Sequence, residues 1–300
     1  MSGKNILLLG YGEMGHAMEH LLSPTHEIAI WDPYYPGELA KIELEQTATE
    51  ADFIIFCTPT AALFELAQRL SPQLSSDCIC LSMAKSLDAS GRTAPVALQQ
   101  GLENRVDYAM LYGPMISEEI MIDRPGFAVL AGSSEACLEK TKTLFQGTGL
   151  KLKIHNDLHG TAWCVTLKNV YALLFGMADE LNLGVNMRGF LAVETLAEMA
   201  AIMQYKNGLP ETPYTLAGLG DLITTATSED SHHHQLGRSL ARNERDDISG
   251  EGINTLSIIR QFKLLKKKHF PLFRLIEKVV QHAKNPEDLL TQYIDEFVSE

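Results

Sequence analysis

The chain lacks any apolar run of the roughly 18 residues that a membrane helix needs. It also lacks a CxxC pair, and its five cysteines, Cys57, Cys78, Cys80, Cys137 and Cys164, are odd in number. That pattern fits neither a disulfide scaffold nor a zinc ribbon. It fits buried thiols in a reducing compartment. The apolar run in "KNILLLGYG" is too short for a secretory signal, so a cytoplasmic protein is expected. Basic residues are few: 25 Lys and Arg stand against 38 Asp and Glu, a formal charge of -13. Such a surface repels phosphate backbones and argues against a nucleic-acid partner. A small anionic substrate would need local Lys or Arg to overcome the global field. Apolar residues still make up 45% of the 300 positions, enough for one large core or two ordinary ones.

The first half alternates short apolar runs with amphipathic stretches. "NILLLG" (Asn5–Gly10), "EIAIWD" (Glu27–Asp32), "DFIIFCTP" (Asp52–Pro59) and "CICLSMAK" (Cys78–Lys85) read as buried parallel strands. "VDYAMLYGP" (Val106–Pro114) and "GFAVLAG" (Gly126–Gly132) follow the same pattern. Helical spacing between them predicts an open α/β sheet with right-handed crossovers. Near "KLKIHNDLHG" (Lys151–Gly160) the texture changes, and from Thr161 long helical patterns such as "TLKNVYALLFGMADEL" take over. The expected architecture is a Rossmann-type doubly wound domain over residues 1–155 and an all-helical domain over 156–300. The helical half is expected to carry the interface of a homodimer.

"LLLGYGEMGHAM" sets Gly10, Gly12 and Gly15 in a G-x-G-x-x-G pattern between a strand and a helix. The first glycine makes the tight turn, the second admits a pyrophosphate, and the third lets the helix pack on the strand. Asp32 ends the next strand, where a carboxylate accepts the adenosine ribose hydroxyls. It repels a 2′-phosphate, and no Arg follows it in "WDPYYPG". NAD is therefore the expected cofactor. A glycine-rich turn in a nucleotide-free sheet is the plain alternative.

"LKN" at Leu167–Asn169, "GLGDL" at Gly218–Leu222 and "EG" at Glu251–Gly252 occur in order with "GYGEMG", "AK" at Ala84–Lys85 and "YGPMISEE" at Tyr112–Glu119. Together they resemble the NAD(P)-dependent glycerol-3-phosphate dehydrogenases over nearly the whole chain. The resemblance implies interconversion of dihydroxyacetone phosphate and sn-glycerol 3-phosphate, in glycerol phosphate metabolism and phospholipid biosynthesis. By position, Lys168 matches the catalytic lysine and Asp221 an aspartate of the substrate site. Lys85 matches a lysine near nicotinamide and substrate. Gly113 and Met115 match substrate contacts, and Glu13, Met14, Ser117 and Glu251 match cofactor contacts. The substrate is expected in the cleft between the domains.

The chemistry agrees. Reducing a ketone builds negative charge on its oxygen, and an ammonium in reach both stabilises that charge and supplies the proton. A lysine within "WCVTLKNVYALL" would be desolvated, which lowers its pKa. The plain alternatives are a snorkelling surface lysine for Lys168 and a turn aspartate for Asp221.

The pattern also departs from the family. Glu13 and Met14 replace its serine and tryptophan. The Asp32–Asp52 segment is short. Ala162 and Cys164–Val165 replace a glutamate and a glycine pair. Most of all, Ser231-His232-His233 stands where the family reads Ser-Arg-Asn, the arginine and asparagine that grip the substrate phosphate. The histidines therefore read as a weakened phosphate grip, a site for a different substrate, a metal site, or a solvated helix start. No metal is expected, because adjacent histidines on one turn cannot all face one ion.

Overall fold

The computed structural model describes residues 3–35, 42–228, 231–244, 248–265, 270–281 and 285–298. The first unit, Met1–Ala162, is built on one seven-stranded sheet. Its strands are β1 (Asn5–Leu9), β2 (Glu27–Trp31), β3 (Phe53–Phe56), β4 (Ile79–Ser82), β5 (Asp107–Tyr112), β6 (Gly126–Gly132) and β7 (Leu150–Ile154). The helices between them are α1 (Glu13–Leu22), α2 (Leu44–Thr49), α3 (Thr60–Leu70), α4 (Ala94–Gly101), α5 (Ser117–Ile120) and α6 (Glu135–Leu144). The strand order is β2-β1-β3-β4-β5-β6-β7. The chain thus steps one way from β1 to β2, then returns and builds outward from β3. Ligands bind open α/β sheets where this order reverses, at the carboxyl ends of the strands. In this sheet that place lies beyond Leu9 and Phe56, which pair across β1 and β3.

Apolar side chains on both faces explain why these segments are central strands. Leu7, Leu8 and Leu9 are all fully buried, as are Ile54, Ile55 and Phe56. Two expectations need correction. Strand β6 runs antiparallel to β5, not parallel. Only the four-residue α5 lies between them, too little for the usual helical crossover. In addition, "LKLKI", which falls within the expected sheet domain but outside its expected strands, is a seventh strand pairing parallel with β6.

The second unit, Trp163–Glu300, is helical. It holds most of α7 (Leu158–Glu180), then α8 (Gly184–Tyr205), α9 (Asp221–Thr227), α10 (His232–Ala241), α11 (Glu251–Gln261), α12 (Pro271–Val280) and α13 (Pro286–Val298). The division after Ala162 falls inside α7, a little beyond the change of texture read near residue 155. Helix α7 is apolar on every side, and residues 161–178 are all buried. A helix of that kind has to be the centre of its unit.

The few polar side chains on α7 must find partners, since burying them alone is costly. Tyr171 donates to Glu198 of α8 at 2.6 Å. The same carboxylate accepts the amides of Leu272 and Phe273 at 2.8 and 2.7 Å, and so caps α12. Burial pushes the Glu198 carboxyl above its usual range, against these three hydrogen bonds. Two other buried polar residues of α7, Lys168 and Asn169, point to chemistry.

Candidate active site

The glycine loop sits at the reversal of strand order. Gly10 has φ +92, and a Cβ there would meet the Cys57 carbonyl at 3.1 Å, just past β3. Its amide bonds the Trp31 carbonyl at 2.9 Å, tying the loop to the end of β2. A Cβ on Gly15 would overlap the Gly10 carbonyl, so only glycine lets α1 pack this close. A Cβ on Gly12 meets nothing within 4 Å. That open face at the start of a ten-residue helix is where backbone amides can receive a pyrophosphate.

Asp32 is locked in place. One carboxylate oxygen accepts the Tyr11 amide at 2.8 Å, and the other accepts the Tyr34 amide at 2.8 Å. Glu13 is exposed at the first position of α1, and Met14 packs against the sheet core. These residues fit a dinucleotide: a glycine cradle, a helix N-terminus and a fixed carboxylate at the end of β2.

Further along the same sheet edge, the Lys85 ammonium lies 3.5 Å from the Gly113 carbonyl, so two predicted residues meet after β4 and β5. Met115 is buried in the core beside the sheet. Ser117 opens α5, with its hydroxyl on Glu118 at 2.9 Å.

The second unit gathers its own cluster. The Lys168 ammonium stands 3.3 Å from Asp221 Oδ1, with both side chains under a tenth exposed. It also donates to Thr225 Oγ1 at 2.6 Å, and that hydroxyl donates to the Asp221 carbonyl at 2.8 Å. Asp221 is the first residue of α9, directly after a π turn over Leu216–Gly220. That turn packs so tightly on Pro213 that a side chain on Gly218 would overlap its carbonyl. Gly218 of "GLGDL" thus helps to place the start of α9, and with it Asp221, beside Lys168. Asn169 donates to Glu251 Oε2 at 2.9 Å, and Glu251 opens α11. A side chain on Gly252 would clash with the Asn169 carbonyl, which explains the Glu-Gly pair.

Sequence reasoning missed Thr225 and gave Asn169 no role. Thr225 lies four residues after Asp221 on the same helix, hence on the same face, and that spacing was the available signal.

The histidine run opens α10. Ser231 is the N-cap, and its hydroxyl accepts the His234 amide at 3.4 Å. His232 is exposed, and its Nε2 lies 2.9 Å from the Ser249 carbonyl. A carbonyl only accepts, so Nε2 carries the proton and a neutral ring leaves Nδ1 as a bare acceptor. His232 can therefore donate to an anion through Nδ1 only when protonated. His233 is half-buried, its ring centroid 5.8 Å from that of His232. Among the described residues, no three His, Cys, Asp or Glu converge as a metal site would require. No helix there is long and apolar enough to cross a membrane.

The "NAD-dependent glycerol-3-phosphate dehydrogenase N-terminus" matches residues 35–138, and the corresponding C-terminus matches 157–291. The chain belongs to the NAD-dependent glycerol-3-phosphate dehydrogenase family. It is 29% identical to a glycerol-3-phosphate dehydrogenase [NAD(P)+] of Acaryochloris marina, covering 98% of this chain and 96% of that one. It is 28% identical to the Synechocystis enzyme of the same name, over 93% and 89%. In shape it is similar to a glycerol-3-phosphate dehydrogenase from Coxiella burnetii, with TM-score 0.81, 22% identity, and 97% and 99% of the chains covered. The family match begins after Asp32. The glycine loop and Asp32 lie outside it and rest on their own geometry. Lys168, Asp221, Thr225 and Asn169 all lie within the residues matched by the C-terminal family model.

Proposed function

We propose that the chain interconverts dihydroxyacetone phosphate and sn-glycerol 3-phosphate with NAD, using Lys168 as the acid–base group. The observation that carries this reading is the buried contact of Lys168 with Asp221 and Thr225. Nicotinamide, when bound, supplies or accepts the hydride. Asp221 and Thr225 fix the lysine head, so no reorganisation is needed as charge builds on the substrate oxygen. In reduction the ammonium donates its proton to that oxygen, leaving an amine that solvent reprotonates. In oxidation the amine takes the hydroxyl proton. Asn169, held by Glu251, presents an amide beside the lysine. His232 and His233 at the start of α10 receive the phosphate. The test is NADH oxidation with dihydroxyacetone phosphate against unphosphorylated ketones.

We assign NAD rather than NADP because Asp32 cannot turn away: both oxygens are held by backbone amides. A 2′-phosphate would bring a second anion against it. NADH is expected to bind at least about tenfold more tightly than NADPH, roughly 1.4 kcal/mol. Asp32→Ala should narrow the gap. Calorimetric titration of both cofactors decides it, and equal or tighter NADPH binding contradicts the assignment.

We place this activity in the cytoplasm and in a homodimer. The five free cysteines suit a reducing compartment. Val185 and Val193 of α8 and Phe297 of α13 are half or more exposed, as an apolar contact surface would be. Sedimentation velocity tests the dimer directly, and a monomer at all concentrations rejects it.

A further inference from the structure

Helices α7 and α10 cross without side chains between them. A Cβ on Gly176 would overlap the His234 carbonyl, and one on Gly237 would overlap the Leu173 carbonyl. One turn from each glycine, the two helices are joined again. The His234 Nε2 lies 2.6 Å from Asp179 Oδ2, with side chains 5% and 8% exposed. Arg188 of α8 grips the same carboxylate through Nε at 2.6 Å and Nη2 at 2.7 Å. Burial works to raise the Asp179 carboxyl, but Arg188 and His234 hold it below the usual carboxylate range. Arg238 stands 3.9 Å from Asp179 and bonds Glu180 at 3.5 Å, completing the charges around the pair.

His234 is thus bound at both ends. Its amide meets the Ser231 cap, and its ring is fixed to α7. Helix α7 is also the helix that carries Lys168, eleven residues or about three turns before Asp179, on the same face. The anchor, the crossing and the reactive lysine therefore share one rigid element.

We propose that His234 is a positioning residue for substrate phosphate: through Asp179 it fixes the first turn of α10, and with it His232 and His233, relative to Lys168. This rests on the reading of α10 as the phosphate end of the site. His234 touches no substrate atom itself.

The amide of glutamine can place its nitrogen where Nε2 lies, whereas the shorter asparagine places its nitrogen nearer Nδ1. His234→Gln should therefore retain the bond to Asp179 and His234→Asn should lose it, with both side chains polar and of similar volume. Steady-state kinetics with NADH and dihydroxyacetone phosphate, the Kd of NADH and the thermal midpoint are measured for the parent and both variants. The expected result for His234→Asn is a KM for dihydroxyacetone phosphate raised about tenfold. Its kcat stays within threefold and its NADH affinity is unchanged. His234→Gln should lie within threefold of the parent on all readouts. Equal KM in all three proteins overturns the proposal. So does a parallel fall of kcat, NADH affinity and thermal midpoint in both variants, which marks a purely structural residue. A parent that neither turns over dihydroxyacetone phosphate nor binds inorganic phosphate instead removes the phosphate reading itself, and this proposal with it.

Discussion

Replacing Lys168 with methionine is expected to lower turnover by about a thousandfold or more while leaving NADH affinity within twofold. General acid–base groups contribute roughly 10²–10⁴ in rate, and methionine keeps the length of the side chain without its proton. The loop and Asp32 that would hold the cofactor belong to the other unit, so binding should not follow activity down. Stability should fall as well. Asp221 is 3% exposed, and removing its cation leaves a buried carboxylate to be balanced by its remaining contacts. Breaking one side of a buried pair costs about 3–5 kcal/mol. Adding Asp221→Asn should recover much of that stability and none of the turnover. Single-turnover kinetics, NADH titration and thermal unfolding of both variants check this. A Lys168→Met enzyme within a few-fold of the parent assigns the proton transfer to another group.

The second large effect is expected at the start of α10. The His232 Nε2 is committed to the Ser249 carbonyl, so its other nitrogen donates only when the ring is charged. Substrate affinity should therefore weaken as pH rises. The sign follows from the bound state: phosphate binds the charged ring and is released as the ring turns neutral. The phosphate's own second proton also leaves near pH ~6, which makes a control essential. His232→Arg with His233→Asn supplies a permanent charge and a two-pronged donor. A charge-assisted hydrogen bond contributes about 1.5–3 kcal/mol, so KM for dihydroxyacetone phosphate should fall by roughly 10–150-fold at the alkaline end. The residual pH dependence of this variant belongs to the phosphate alone. A parent whose KM is flat with pH, or a double variant that gains nothing, shows that these positions do not meet a phosphate.

The parts of the molecule that repeat locally were legible in the sequence. Strands β1, β3 and β4 are buried on both faces and read as unbroken apolar runs, and the glycine loop announces its own backbone geometry. Strand direction was not legible, because a buried strand has the same composition whichever way it runs. Thus β6 looked parallel, although the short α5 before it carried the warning. Strand β7 was missed because it is an edge strand with Lys151 and Lys153 exposed, and lysine alternation reads poorly as sheet. In the site, Lys168 was conspicuous as a charge in an apolar helix. Its partner Thr225 was not, because a threonine in a polar loop-like stretch draws no attention until the fold brings it 2.6 Å from the ammonium. The His234–Asp179 contact joins residues 55 positions apart and is a product of the α7–α10 crossing alone.

The most direct test of the account is the steady-state loss of nicotinamide absorbance with NADH and dihydroxyacetone phosphate, measured from about pH 6 to 8. Dihydroxyacetone and unphosphorylated 2-oxo acids run in parallel. The account predicts enzyme-dependent oxidation with dihydroxyacetone phosphate, strongest toward the acidic end, and none of comparable kcat/KM with the unphosphorylated ketones. Absence of turnover on dihydroxyacetone phosphate at every pH, together with turnover of an unphosphorylated ketone, would contradict it.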